Sequence, residues 1–347
     1  MTTSNDNLID GAPQGAQHGL VVKKALGAYT VRSADRAIAD RLIACTLAGN
    51  LRKQLEFSIA DPSSMRRRVL AVKELDSVDP VAVGDHVVYL DAGDGAGSIV
   101  EILPRRNKLS RPVTDGNRRY KQGGRREQVL VANVDQIVVV MPAANPPPHW
   151  ELLDRYLASA EAAGIPAVIC LTKTDLREAD EALCEIDRYR RIGYRVVLTS
   201  AVTAEGLVEI KDVLTDRVSV LWGKSGVGKT TLLNAIEPGL GLRVKDVNAH
   251  NSEGRHTTTT MEMFELAGGG SVIDTPGQRA FKLWDEIFDF AQLLPEMRPF
   301  IGRCKFGLDC THTREPGCAI KTAVQTGAIS ARRYDSFLGM RDYFDDK

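Results

Sequence analysis

Long apolar runs are missing from this chain. No stretch approaches the ~18 consecutive apolar residues of a membrane-spanning helix, so an integral helical membrane protein is not expected. The opening MTTSNDNLIDGAPQGAQHG lacks the charged n-region and apolar core of a secretory leader. Residues 1–18 read instead as a disordered polar tail. Cysteines number six in 347 residues, and net charge is absent, with 45 Lys+Arg against 45 Asp+Glu. Without a leader those cysteines do not describe a disulfide framework, and a reducing cytoplasm is the expected location. The chain that remains is 43% hydrophobic and 26% charged, which excludes a wholly disordered or collagen-like polymer. At roughly 150 residues per domain, two or three units are expected.

Zero net charge conceals segregation. Residues 1–128 carry 20 basic and 15 acidic side chains, 129–295 carry 16 and 23, and 296–347 carry 9 and 7. Between Arg105 and Arg126 nine Lys/Arg face one acid, Asp115. Such a cationic run suits a polyanion such as RNA, and equally a solvated basic loop.

The pattern of elements changes along the chain. Residues 19–128 show short alternating runs broken by glycines, as in GAYTVRS and VGDHVVYLDAGDG, which predict a small β-barrel of oligonucleotide-binding (OB) type or a sandwich. From 129 to 295 apolar strands alternate with helical segments: VLVANVDQIVVVMPA, ELLDRYLASAEAAG, PAVICLTKTD, YRVVLTSA and VSVLW. That alternation predicts a parallel α/β sheet covered on both faces. Residues 296–347 bear Cys and His and then read as helical.

Gly223-Lys224-Ser225-Gly226-Val227-Gly228-Lys229-Thr230 fits G-x4-G-K-[ST] between a strand and a helix, the context a phosphate-binding loop needs. Its glycines let successive N–H groups curl inward toward phosphate oxygens, and the following helix, with Thr231, adds its positive end. Lys229 would neutralise the β- and γ-phosphates, and Thr230 would ligate Mg²⁺. Downstream, Asp274 closes the strand SVID and begins D-T-P-G, where Asp274 would hold the Mg²⁺ through water and the Gly277 amide would sense the γ-phosphate. Between them lies GRHTTTT, read as a switch loop, with Thr258 favoured and Thr259 next to complete the Mg²⁺ shell. Base selection is assigned upstream, to Thr172-Lys173-Thr174-Asp175 at one strand end and Ser200-Ala201 at another. Thr174 and Asp175 would also serve as a helix cap. The order is base corner, then phosphate loop, switch and D-x-x-G, a circular permutation of the usual GTPase order.

Cys304-x5-Cys310-x-His312-x5-Cys318 places four soft or borderline ligands within a short segment. A closed Cys₃His set suits one structural Zn²⁺, whose binding would supply much of the folding energy of so small a piece.

These motifs together resemble the circularly permuted, small-subunit-dependent ribosomal GTPases of the RsgA/YjeQ type. The likeness is carried by GDHV, GSIVEILPRRNKLSRP, the T-K-T-D and T-S-A strand ends, GKSGVGKTTLLNAI, GRHTTT, DTPG and CKFGLDCTHTREPGCAI. It implies a multi-domain chain: OB-fold barrel, permuted P-loop GTPase and C-terminal α-helical zinc-binding domain. It further implies binding to the 30S subunit and its 16S rRNA, late maturation of that subunit, GTP hydrolysis stimulated by it and coupled to release, and no membrane partner. A monomer is expected. In the family, the histidine matching His256 is a candidate for assisting the attacking water; Gln278, directly after Gly277, is its rival here. Family members usually carry Asn where this chain has Thr172. An ATP-dependent P-loop enzyme and a non-catalytic GTP-bound RNA-binding factor are the alternative readings.

Overall fold

A computed structural model of the chain describes residues 15–25, 27–35, 41–49, 51, 80–113, 126–241, 261–275 and 289–345. They fall into two compact units, one drawn from within 1–106, 113–132 and 258–262, the other from within 107–112, 133–257 and 263–347.

The first unit contains β1 (Ala16–Ala25), β2 (Ala28–Ser33), β3 (Leu42–Leu47), β4 (His86–Asp91) and β5 (Ala96–Ile102). β1 pairs antiparallel with both β2 and β4, β2 with β3, and β4 with β5, while β3 runs parallel to β5. The strands thus close into the OB-type barrel, and closure removes the exposed edges of an open sheet. Strand periodicity turns Tyr29, Val31, Ile43, Cys45, Val87, Tyr89 and Ile99 into its core. β1 begins earlier than the sequence suggests. Ala16, Gln17 and His18, read as tail, are already in the strand, where Tyr89 Oη donates to Gln17 Oε1 at 2.8 Å; residues 1–14 lie outside the described residues.

One cation of the basic run is taken inward. Arg105 donates from Nε to Asp85 Oδ1 and from Nη2 to Asp85 Oδ2, both at 2.7 Å, and Asp85 is fully buried. The Ala82 N–H completes that carboxylate's partners at 2.7 Å. Arg105 is therefore a structural residue of the barrel unit, and residues 114–125 of the run lie outside the described residues.

β6 (Lys108–Val113) and β7 (Arg126–Ala132) follow in the chain. The apolar run 129–143, expected as one strand, is broken at Asn133, whose φ of 56° no strand tolerates. The side chain of Asn107 brackets the break, accepting from Val134 N–H at 3.0 Å and donating to Val134 C=O at 2.8 Å.

The second unit is built on β8 (Gln136–Pro142), α1 (Trp150–Ala162), β9 (Ala167–Thr172), α2 (Asp180–Ile192), β10 (Arg195–Leu198), α3 (Leu207–Leu214), β11 (Val218–Trp222) and α4 (Lys229–Ile236). β12 (Met261–Glu265) then leads by a turn into β13 (Ser271–Asp274). The spatial order β10-β9-β8-β11-β13 is parallel throughout. Every residue of β8 is buried, as a strand covered on both faces requires. Val138, Val140, Cys170 and Leu221 meet Ile210 and Val213 of α3 and Leu232 and Leu233 of α4 in one core. Of these five strands β8 comes first in the chain yet lies beside β11 in the middle of their order, which is the arrangement a permuted order produces.

The C-terminal segment carries α5 (Ala319–Gln325) and α6 (Ala331–Asp345). It packs on α1 through a core that includes Ala158, Met297, Ile320, Phe337 and the three cysteine thiols. Arg333 of α6 is buried against Asp154 of α1 at 2.5 Å and against Glu296 at 2.6 Å, and Arg332 reaches Asp154 at 3.0 Å and Glu185 of α2 at 2.7 Å. Among the described residues no helix is long and apolar enough to cross a membrane.

Candidate nucleotide site and metal cluster

The turn from Gly223 to Gly228 joins the end of β11 to the start of α4. A side chain at Gly223 would place its Cβ 2.4 Å from the Val140 carbonyl of β8, so glycine alone lets the loop start this close to the sheet. Gly228 has φ of 100°, a conformation that opens α4 without a capping side chain. The N–H groups of a first helical turn have no intrahelical acceptor, so those of Lys229, Thr230 and Thr231 line an anion-receptive end. Thr230 is half-buried, Thr231 exposed, and Lys224 and Ser225 are exposed at the loop tip.

Lys229 is 8% exposed, and its ammonium donates back to the Gly223 carbonyl at 2.7 Å and the Lys224 carbonyl at 3.1 Å. Asp274 ends β13, in register with Leu221 of β11. Its Oδ1 is buried and has no hydrogen-bond partner among the described residues. Burial pulls the Lys229 ammonium below the ordinary lysine range while Asp274 opposes that shift; burial likewise raises Asp274, with Lys229 opposing. A buried cation and a carboxylate with an unused buried oxygen thus stand within electrostatic reach of each other at the loop. Beside them, Thr275 is fixed by a 2.8 Å bond from its hydroxyl to the Leu221 carbonyl.

The base corner lies at the ends of β9 and β10. Thr172 is buried and gives its hydroxyl proton to the Val227 carbonyl of the phosphate loop at 2.7 Å. Lys173, at φ of 61°, extends its ammonium to the Gly226 carbonyl at 3.4 Å and to the Asn145 carbonyl. Thr174 reaches Glu205 at 3.4 Å, Asp175 is exposed, and Ala201 is exposed. Ser200 is fully buried, its hydroxyl oxygen accepting from Val202 and Thr203 N–H at 3.1 Å each. The two strand ends and the phosphate loop are therefore directly tied.

In the C-terminal segment the ligand atoms of Cys304, Cys310, His312 and Cys318 lie within 4.8 Å of one another, all four residues buried, and could hold a metal ion. His312 Nδ1 points at the Cys304 and Cys318 sulfurs, 3.5 Å from each, while Nε2 lies 3.4 Å from Asp289 Oδ2. One ring nitrogen thus faces the thiols and the other a carboxylate, the orientation of a metal-bound histidine. The Ala319 N–H donates to Cys304 Sγ at 3.2 Å, which favours a thiolate.

A family model described as RsgA GTPase matches residues 102–284, spanning the base corner, the phosphate loop and Asp274. The chain belongs to the RsgA GTPase family. It is 42% identical over 264 residues to the small ribosomal subunit biogenesis GTPase RsgA of Chromohalobacter salexigens, covering 75% of this chain and 74% of that one. The like-named protein of Bacteroides fragilis is 36% identical over 327 residues, 93% of this chain and 95% of its own. Among solved structures, YjeQ from Thermotoga maritima superposes with a TM-score of 0.66 at 29% identity, over 96% of this chain and 99% of that one. YloQ, described as a circularly permuted GTPase, does so with a TM-score of 0.63 at 29% identity, over 98% of each.

The permuted RsgA architecture read from the motifs is thus the architecture of the chain. Thr172 to Asp175, Ser200, Ala201, the loop 223–231 and Asp274 converge at neighbouring strand ends of one unit. His256, Thr258, Gly277 and Gln278 lie outside the described residues. Two contacts escaped the sequence reading. Asp289 looks like an ordinary helix cap, and it does accept from Ala291 N–H at 2.9 Å, but its other oxygen serves His312. Glu205 sits in a polar loop with no motif, yet its carbonyl accepts the Ser200 N–H at 3.1 Å.

Proposed function

We propose that this protein hydrolyses GTP while bound to the 30S ribosomal subunit, assists late maturation of that subunit, and couples hydrolysis to its own release. The observation that supports this most strongly is the buried Lys229, electrostatically coupled to the half-buried Asp274, at a glycine turn tied to the Thr172–Asp175 corner. In this reading the phosphates lie over the 223–231 loop. Lys229 exchanges its two carbonyl partners for β- and γ-phosphate oxygens. Asp175 accepts from the guanine N1–H and N2–H₂, and Ala201 N–H donates to O6. Thr230, Asp274 and Thr258 would hold Mg²⁺, which would spread the charge developing on the phosphoryl oxygens. A water held by His256, or by its rival Gln278, attacks the γ-phosphorus. The bond from that phosphorus to the bridging oxygen breaks, and the electron pair leaves with GDP. Gly277 senses the γ-phosphate, so that only the GTP state orders the switch.

The chain's division of labour belongs to the same proposal. Residues 19–128 and 296–347 flank an acidic GTPase region, 129–295, and grip 16S rRNA, so attachment weakens steeply with salt. The Cys304, Cys310, His312 and Cys318 set suits one structural Zn²⁺, since it offers four ligands and no open position. The protein acts as a monomer in the cytoplasm.

GTP turnover with purified 30S, 50S and 70S particles tests this reading. Acceleration by 30S alone is expected. Unchanged turnover with every particle would leave GTP as a structural ligand of an RNA-binding factor, and ATP displacing labelled GDP at equal concentration would defeat the guanine corner.

A further inference from the structure

Building on the guanine-corner reading, we propose that Thr172 leaves this protein blind to the N7 edge of the base, so that recognition is confined to the edge read by Asp175 and Ala201. Guanine presents acceptors at N7 and O6 and donors at N1 and N2. A site that reads N7 must keep a donor in reserve for it.

The corner has few donors, and nearly all are already committed. A threonine hydroxyl carries a single proton. That of Thr172 goes to the Val227 carbonyl at 2.7 Å, and its next nearest partner, the Met141 carbonyl at 3.4 Å, is also an acceptor. Turning the proton toward a base would leave a buried loop carbonyl unpaired, which is costly in a group only 5% exposed. Lys173 is held by the Gly226 and Asn145 carbonyls. The Thr174 hydroxyl lies 3.4 Å from Glu205 Oε2, and the Ser200 N–H is given to the Glu205 carbonyl at 3.1 Å. Ser200 itself is fully buried and faces its own turn.

Two groups remain. Ala201 is exposed, and no acceptor for its N–H is present among the described residues; the exposed Asp175 carboxylate likewise has no donor there. One donor and one two-oxygen acceptor match O6 together with N1–H and N2–H₂, and neither the Thr172 hydroxyl nor the Lys173 ammonium at the end of β9 is left to donate to N7. An asparagine at position 172 would change this, because a carboxamide carries two N–H groups and can hold the loop with one while presenting the other. Thr172 is thus a tether of the phosphate loop that sets base specificity by what it withholds.

Competition against labelled GDP on the full-length chain tests the proposal, using GDP, 7-deaza-GDP, inosine diphosphate and ADP. Because 7-deaza-GDP lacks only the N7 acceptor, it is expected to bind within about twofold of GDP, while one hydrogen bond to N7 would cost about three- to tenfold. Inosine diphosphate, lacking N2–H₂, should bind more weakly, and ADP should not compete. Thr172→Asn should introduce a preference for GDP over 7-deaza-GDP of about three- to tenfold. Thr172→Val, which keeps the shape and removes the tether, should weaken both equally. A wild-type preference for GDP of about threefold or more would overturn the proposal while leaving the guanine corner standing. No preference in Thr172→Asn would remove Thr172 as the determinant. ADP binding as well as GDP would overturn the corner itself and this inference with it.

Discussion

Arg333 and Asp154 are 179 residues apart in sequence, and their side chains meet at 2.5 Å with the arginine 2% and the aspartate 0% exposed. The contact fastens the last helix of the metal-bearing segment to the first helix after β8. It is reinforced by Tyr189, whose hydroxyl donates to the same Asp154 oxygen at 2.5 Å and whose ring lies under the Arg333 guanidinium at 5.4 Å. Asp154 raises the Arg333 pKa well above the arginine range against the opposing effect of burial.

Asp154→Ala leaves the buried Arg333 guanidinium with Glu296 alone and removes a carboxylate shared by Arg332 and Tyr189. Removal of one partner from a buried ion pair costs about 3–5 kcal/mol, so the urea midpoint of the full chain should fall markedly. An unchanged midpoint would show that solvent reaches Arg333 and that the pair contributes little.

Asp274 carries a stability cost that its variant should relieve. Burial raises its folded pKa above the unfolded value of 3.8, against the pull of Lys229. A carboxyl shifted this way favours the fold fully below the unfolded pKa, and the contribution is lost as pH climbs through the folded value. In the ligand-free chain Asp274→Asn should therefore melt above wild type near pH 7, with the gap closing toward about pH 4. The same variant should lose Mg²⁺-dependent nucleotide affinity. Melting at or below wild type near pH 7 would contradict the cost assigned to the buried Asp274 Oδ1.

Metal analysis of purified protein should find one zinc per chain. The thiols of Cys304, Cys310 and Cys318 share a core with Ile320 and Phe337, so losing the metal disturbs packing as well as ligation. Cys310→Ser should lose the ion and lower the Tm, and an apo chain with an unaltered melt would refute a structural role.

Lys229→Ala should abolish nucleotide binding without unfolding the barrel, as judged by filter binding and circular dichroism. His256→Ala should reduce turnover on 30S by about 10²–10⁴-fold with GDP affinity nearly intact, the span expected when a positioned proton-transfer group is lost. If Gln278→Ala produces that loss instead, the water belongs to Gln278.

Much of the nucleotide site was legible because its chemistry is local. A glycine turn between an apolar strand and a helix reads the same in sequence and in space, and so does the knuckle of Cys304, Cys310, His312 and Cys318. Convergence of Thr172 with Val227 was legible only through motif order, since the two stand 55 residues apart, on β9 and after β11, with β8 lying between those strands in the sheet. Asn133 escaped notice because Val131, Ala132 and Val134 on either side of it continue the apolar pattern, and only the backbone shows the break. Arg105 looked like one cation among nine because a sequence shows charge and not partners. Its carboxylate, Asp85, stands twenty residues upstream, inside the GDHV segment. Asp289 carries no motif in the sequence, and its contacts with Ala291 and His312 need a chain that has already folded.

Trp222 closes β11 directly before Gly223, buried, with its ring 4.7 Å from that of Tyr156 on α1. The protein therefore carries its own optical reporter one residue from the phosphate turn. Movement of that turn should alter this ring contact and with it the indole emission, so nucleotide arrival and departure should be followable in real time on unlabelled protein.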